Sequence, residues 1–333
     1  MSYVRGKVGE QVEKQVSDNS AVRWVTVEDE FAGQRLDNFL MRELRGVPKS
    51  RIYNALRRGE VRVNKARAKP AYKLVPGDQV RIPPVRVKQA TTTSVPGGLA
   101  ERIKAAILYE DDGLLIVNKP SGLAVHGGSG VSLGLIESLR QIFPDQKHLE
   151  LVHRLDRDTS GCVMVSKKRA VLKQLHEMLR YKPGAEKGVD KRYLALVAGS
   201  WPARKSQVKV ALAKNVLRSG ERVVRASPEG KSSLTETRLL GRIEEASLIE
   251  ARPITGRTHQ IRVHCQYAGH PIIGDEKYGN PEANLRFREK GVKRLFLHAR
   301  SLAFELDGRR ISVQAPLPKD LESVVSSIDK ILK

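Results

Sequence analysis

Apolar residues first take up a helical rhythm at Leu36, Phe39, Leu40 and Leu44, which fall on one face, and a second short helix is marked by Ile52, Ala55 and Leu56. Arg35, Arg42, Arg51, Arg57 and Arg58 lie on or beside these helices, off the apolar stripe. The period then changes to two. Val61-Arg62-Val63-Asn64 alternates as a half-buried strand does, and Pro76-Gly77-Asp78 makes a turn before Gln79-Val80-Arg81-Ile82. Ahead of this pattern, the polar residues 1–20 carry no apolar segment of the kind a secretory signal needs, so they read as a partly disordered lead-in.

Pro83-Pro84 and the stretch from Gln89 to Gly98 lack periodicity and carry chain breakers, which predicts a linker over 85–101. A small αβ domain over 31–84 and a second domain over 102–333 follow from it. The second opens with Ile107 to Glu110, a turn at Asp111-Asp112-Gly113, and Leu114 to Val117, the pattern of a hairpin. Further strand-like runs lie at 161–166, 192–198, 246–252, 300–306 and 311–315, with helical patterns at 133–143, 167–180 and 257–268. Short turns join some of these strands and helices separate others. The expected class is α+β, with a mixed, largely antiparallel sheet flanked by helices. The basic stretch Lys182 to Lys191 is expected to be a mobile loop.

Charge changes this picture. Sixty Lys and Arg against 37 Asp and Glu leave a formal charge of +23, and the isoelectric point is near 10.1. Neutralising phosphates releases condensed counterions, so nucleic acid is the natural partner of such a chain. No long apolar segment points to a membrane. Two cysteines in 333 residues suit a reducing cytoplasm.

Three stretches carry candidate chemistry. His153-Arg154-Leu155-Asp156-Arg157-Asp158-Thr159-Ser160-Gly161 is a polar island between two apolar runs, which suits either a catalytic constellation held by strands or a structural charge cluster. Arg252 to His264 contains a Gly256 turn and a helix whose buried face would include Ile261, Cys265 and Ala268. Arg257, one turn before Ile261, would point inward, where an arginine needs an anion, and Asp156 is the attractive partner. Tyr193 opens a strand and suits a core or interface aromatic as well as a functional one. Gly130-Val131-Ser132-Leu133-Gly134 matches a nucleophile elbow in the wrong context, and Ser132 reads better as a helix cap. His259 and His264 lack zinc spacing, and neither a phosphate-binding loop nor a dinucleotide fingerprint occurs, so neither metal nor cofactor is expected.

The segment from Phe31 to Pro84 resembles the S-four type of RNA-binding domain through Gln34-Arg35-Leu36-Asp37, Ser50-Arg51, Gly59, Val61, Val63-Asn64 and Pro76-Gly77-Asp78. From Ile107 to Pro318 the chain resembles the Rlu-type pseudouridine synthases. The motifs are Asn118-Lys119-Pro120-Ser121-Gly122 with Val125-His126, His153 to Gly161, Lys191 to Gly199, Arg252 to His264, and His270 to Asp275 with Tyr278-Gly279. Within that family the RluC group, which acts on several uridines of large-subunit ribosomal RNA, is the most similar.

The resemblance implies isomerisation of uridine in that RNA without a cofactor, on a flipped base. It assigns Asp156 as the catalytic carboxylate, Arg257 as its arginine partner and Tyr193 as the active-site tyrosine. Arg154, Ile261, Lys119 and His126 are expected to meet the substrate nucleotide, and Arg35, Arg51, Arg57 and Arg58 the RNA backbone. Large-subunit ribosomal RNA, alone or in pre-ribosomal particles, is the expected partner of a cytoplasmic monomer. A non-catalytic RNA-binding or ribosome-assembly factor would use the same basic surface.

Overall fold

The two apolar stripes near the N-terminus meet the alternating strand that follows them. In the computed structural model, residues 21–44, 47–85, 94–127, 133–181, 188–216 and 222–326 are described, and the chain divides into two units, residues 1–92 and 93–333. The first contains β1 (Arg23–Thr26), α1 (Leu36–Glu43), α2 (Lys49–Arg58), β2 (Arg62–Val63) and β3 (Gln79–Ile82). Its strands form an antiparallel sheet in the order β1-β3-β2. Leu36, Phe39, Leu40, Ile52 and Leu56 share one core with Val63, Val80 and Ile82. Gly59 closes α2 in the left-handed conformation (φ 71°), its N–H returning to the Ala55 and Leu56 carbonyls. β1 lies ahead of Phe31, where the sequence pattern placed the start of the domain.

The second unit runs α3 (Gly97–Ala105), β4 (Ile107–Glu110), β5 (Leu114–Lys119), α4 (Leu135–Ile142), β6 (Glu150–Leu151), β7 (Ser160–Ser166), α5 (Arg169–Met178), β8 (Asp190–Ala198), β9 (Gln207–Lys209), β10 (Leu212–Val216), β11 (Arg222–Ala226), β12 (Leu234–Ile243), β13 (Ala246–Pro253), α6 (Gln260–Tyr267), α7 (Pro281–Glu289), β14 (Leu297–Leu306), β15 (Arg309–Gln314) and α8 (Lys319–Val325). The main sheet has the order β4-β5-β7-β14-β8-β13-β12-β9, with β6 beside β7 and β15 beside β14. Only the β14–β7 pair is parallel among the described strands, so the sheet is mixed and largely antiparallel. β10 and β11 form a separate hairpin.

β5 and β7 explain why continuous apolar runs appear in the sequence. Their alternate residues serve two layers: Leu115, Val117, Val163 and Val165 pack with Ile103 of α3 and Leu135 and Leu139 of α4, whereas Leu114, Ile116, Cys162 and Met164 pack with Val171, Leu175 and Met178 of α5. A strand covered on both faces has no polar side to show. Ile261 and Cys265 of α6 join β8 and β13 in a third cluster. Both cysteines are free and buried.

Several expectations change. α3 occupies part of the stretch read as a linker to residue 101, because Pro96 stands at its N-cap and the two glycines fall in its first turn; residues 86–93 lie outside the described residues, as do 1–20. Asp190 and Lys191 belong to β8 rather than to a loop, and residues 182–187 are not among those described. Gly134, not Ser132, is the N-cap of α4, where Glu137 accepts from the Gly127 and Gly134 amides; residues 130–132 lie outside the description. α6 starts at Gln260, three residues later than the pattern suggested.

Candidate active site

The polar island at His153 to Gly161 is anchored at both ends. Val152 N–H donates to the Met164 carbonyl at 3.0 Å, and His153 Nε2 accepts from Met164 N at 3.1 Å. Burial pushes His153 down to about 3, with the Lys191 charge adding to it, so the ring stays neutral and able to accept. At the other end Gly161 takes φ 110° where β7 meets β14, and a Cβ there would run into the Ala299 backbone. The loop can re-enter the sheet only through glycine.

The Asn118 to Gly122 segment grips the same loop from one side. Lys119 is fully buried, and its Nζ donates to the carbonyls of Pro120, Leu123 and Arg157 at 2.9, 2.8 and 2.8 Å. Ser121 Oγ donates to the Asp158 carbonyl at 2.7 Å, and Gly122 N to the Arg157 carbonyl at 3.0 Å. Burial lowers Lys119 to about 7, opposed by the charges of Asp158 and Asp156. These bonds fix the main chain directly after Asp156.

The Asp156 side chain meets α6. Arg262 Nη1 donates to Asp156 Oδ2 at 3.2 Å, while its Nε and Nη2 fork onto Asp275 Oδ2 and Oδ1 at 2.7 and 2.8 Å. Asp275 also accepts from the Lys277 and Tyr278 amides at 2.9 and 3.0 Å. Burial works against both charges, yet the paired hydrogen bonds hold Asp275 below the usual carboxylate range and Arg262 above its ordinary value. The guanidinium is therefore a rigid bridge between a buried acid and Asp156. The other oxygen, Oδ1, lies 3.7 Å from His259 Nε2.

Asp156 stands where two clefts meet. One, of about 630 Å³, is walled by Tyr193, Ile261, Lys191 and Arg154; the other, of about 740 Å³, is lined by Arg154, Arg157, Lys277, Lys293 and Arg294. Both volumes lie in the range of ligand sites. Tyr193 on β8 is flanked in register by Ala251 of β13 and Ala299 of β14, small residues that leave room beside its ring. Burial, then the Asp156 charge, raises the tyrosine well above its ordinary value. Its hydroxyl stays protonated.

Residues 113–267 match the family described as RNA pseudouridylate synthase, and residues 34–80 match the S4 domain. The chain is 52% identical over 314 residues to the ribosomal large subunit pseudouridine synthase C of Pasteurella multocida, covering 93% of this chain and 95% of that one. It is 51% identical over 318 residues to the protein of the same name from Escherichia coli K12, covering 94% and 98%. The chain belongs to the RNA pseudouridine synthase family. The solved structure of human RNA pseudouridylate synthase domain containing 4 superposes with a TM-score of 0.56 at 25% identity, over 70% of this chain and 96% of that one.

In this RNA pseudouridine synthase, the sequence-derived residues do not all converge. Asp156, Tyr193, Arg154 and Ile261 line one cleft. Arg257 lines it too, but its side chain is exposed and reaches the Ser232 carbonyl at 3.3 Å, not Asp156. The expected Asp156–Arg257 pair is replaced by Asp156–Arg262. The reason is the start of α6: Gln260 Oε1 accepts from Arg257 N at 3.0 Å and closes the turn ahead of the helix, which leaves Arg257 outside the helical register. Lys119 has its ammonium committed to three carbonyls rather than to a ligand. His126 is exposed on the loop before α4 and lines neither cleft. Asp158 pairs with the Arg157 side chain at 3.0 Å.

Arg35, Arg51, Arg57 and Arg58 lie in the other unit, on or next to α1 and α2. Arg35 forks onto buried Asp37 at 3.1 and 2.7 Å, Arg51 pairs with Glu60 at 2.9 Å, and Arg57 and Arg58 are exposed. Sequence reasoning missed Arg262, Asp275, His259 and Tyr278. One signal was present: Asp275 follows Ile272-Ile273-Gly274, and an acid in so apolar a stretch calls for a cation.

Proposed function

We propose that this enzyme converts uridines of large-subunit ribosomal RNA to pseudouridine with Asp156 as its catalytic carboxylate. One observation carries the reading: Asp156 is bridged by Arg262 to buried Asp275 at the junction of an aromatic-walled cleft and a basic one. The substrate follows from relatives of 51–52% identity that are named for the ribosomal large subunit. A base within folded RNA must leave its stack to be turned, at about a few kcal/mol of unstacking. Uracil then occupies the cleft of Tyr193 and Ile261, while the sugar and its phosphates face Arg157, Lys277, Lys293 and Arg294. Arg154, exposed between the clefts, fills the vacated place in the RNA, where its planar guanidinium stacks on bases.

The bond from N1 to C1′ breaks, the uracil turns, and C5 bonds to C1′; C5 gives up its proton and N1 gains one. The reaction is balanced without oxidant, reductant or nucleotide. Asp156, kept from turning by Arg262, is the nucleophile or charge that assists cleavage. Tyr193 stacks on the base, and its neutral hydroxyl passes the C5 proton rather than acting as phenolate. The S4 domain supplies affinity through Arg57, Arg58 and neighbouring cations. The enzyme acts as a cytoplasmic monomer on this RNA or on pre-ribosomal particles. Mapping pseudouridines in ribosomal RNA from cells with and without the protein tests the substrate. Loss of defined large-subunit positions is expected, and an unchanged map would contradict it.

A further inference from the structure

Asp156 has two carboxylate oxygens, and Arg262 holds one of them. The second, Oδ1, faces His259 Nε2 at 3.7 Å. His259 stands immediately before α6 at φ 53° and ψ 21°, a left-handed backbone that residues other than glycine seldom adopt. Its other nitrogen, Nδ1, lies 2.7 Å from Tyr278 Oη. That oxygen accepts from Val224 N of β11 at 3.0 Å. Tyr278 still has its own proton to give, and among the described residues His259 Nδ1 is the acceptor in reach. The phenol therefore donates to Nδ1, and a neutral imidazole so engaged carries its proton on Nε2, toward Asp156.

Tyr278 touches both groups that hold the carboxylate. Its buried ring packs against the Arg262 guanidinium at 5.0 Å and edge-on to the His259 ring at 5.5 Å. Burial, reinforced by the Arg262 and Lys277 charges, lowers the proton affinity of His259 against the pull of Asp156 and Asp275. The ring is thereby kept neutral, with one nitrogen free to accept from Tyr278.

We propose that His259 is a positioning residue for the isomerisation: its Nε2–H, fixed by Tyr278, steadies Asp156 Oδ1 while Arg262 steadies Oδ2, so the plane of the carboxylate is set from both sides. The inference rests on the reading of Asp156 as the catalytic carboxylate. The 3.7 Å separation closes to hydrogen-bond length when a nucleotide fills the cleft, as catalytic contacts that are long in the free enzyme commonly do.

His259→Gln, His259→Asn and Tyr278→Phe in the full chain, with Asp156→Asn beside them, test it by single-turnover tritium release across a range of enzyme concentrations. The glutamine amide nitrogen reaches as far as Nε2, whereas that of asparagine reaches only as far as Nδ1. Asparagine, however, tolerates the left-handed backbone better. A role toward Asp156 and a role in the backbone therefore predict opposite orders. The expected result is a rate about tenfold lower for His259→Asn, within about threefold of wild type for His259→Gln, and intermediate for Tyr278→Phe, with half-saturation changed less than about twofold.

His259→Asn equal to or faster than His259→Gln, or a loss confined to half-saturation, would overturn the proposal while Asp156→Asn stays inactive. An active Asp156→Asn would instead overturn the reading of Asp156, and this inference with it. Should the variants fail to fold, the ¹⁵N spectrum of histidine-labelled wild-type protein decides: the Nε2–H tautomer at His259 is expected, and the Nδ1–H tautomer contradicts it.

Discussion

Arginine serves opposite ends in the two units. In the N-terminal one, Arg58 has a side chain 72% exposed and only a 4.0 Å approach to Glu60, and Arg57 next to it is exposed as well. In the catalytic one, the Arg262 side chain is 9% exposed and joined to two carboxylates, one of them wholly buried. An exposed arginine keeps its water and gains little from a surface partner, so it remains available to a phosphate. A buried one has lost its water already and is held by its acids; removing either side leaves a bare charge. The net charge of +23 therefore speaks for the partner, whereas the cation beside Asp156 contributes almost nothing to the surface.

Lys119 is wholly buried with its ammonium bonded to three carbonyls, and replacing it should have the largest structural effect. Lys119→Met leaves the Pro120 and Leu123 carbonyls without a donor and the Arg157 carbonyl with only that of Gly122, and we expect a loss of about 3 kcal/mol in stability, read from the midpoint of urea unfolding. A midpoint equal to that of wild type would mean that the lysine does not hold the loop. Next is Arg262→Lys, which keeps the charge and loses the fork. Turnover should fall by about 10- to 100-fold with RNA affinity nearly kept.

The same exchange at Arg257, whose side chain reaches only a carbonyl, should lower turnover by less than about threefold. If Arg257→Lys proved the more damaging of the two, the contrast between held and free arginines would break. The smallest effect is expected from Arg57→Ala with Arg58→Ala. Turnover at saturating RNA should be unchanged, and the slope of log affinity against log salt should flatten by about 1.4 for two single-strand contacts. An unaltered slope would show that these arginines do not meet RNA.

What the sequence reveals follows burial. β7 and α4 are legible because their apolar positions serve packed layers, and the Asp156 loop is legible as a polar island between two such runs. β9 to β12 are much less so, since the buried positions of β12 include the polar Thr235 and Thr237, which show no apolar period, and the β10–β11 hairpin lies outside the main sheet. α7 carried a readable signal in Asn280-Pro281: the asparagine side chain accepts from Ala283 N at 3.0 Å, and proline takes the first turn. The candidate site was half visible. Asp156 and Tyr193 stand on strand-held segments, whereas the choice between Arg257 and Arg262 turned on a three-residue difference in where a helix begins. Helix starts are set by side-chain bonds such as that of Gln260, which periodicity does not report.

We expect Asp156, and not its neighbour Asp158, to carry the reaction. Asp156→Asn is nearly isosteric and removes the charge that Arg262 bridges, whereas Asp158→Asn removes only an exposed pair with Arg157. Tritium release from the fifth ring carbon of uridine in a large-subunit ribosomal RNA transcript distinguishes them. Release slower by at least ~1000-fold is expected from Asp156→Asn, with fold and RNA affinity kept, and near-normal release from Asp158→Asn. Full release by Asp156→Asn would contradict the account.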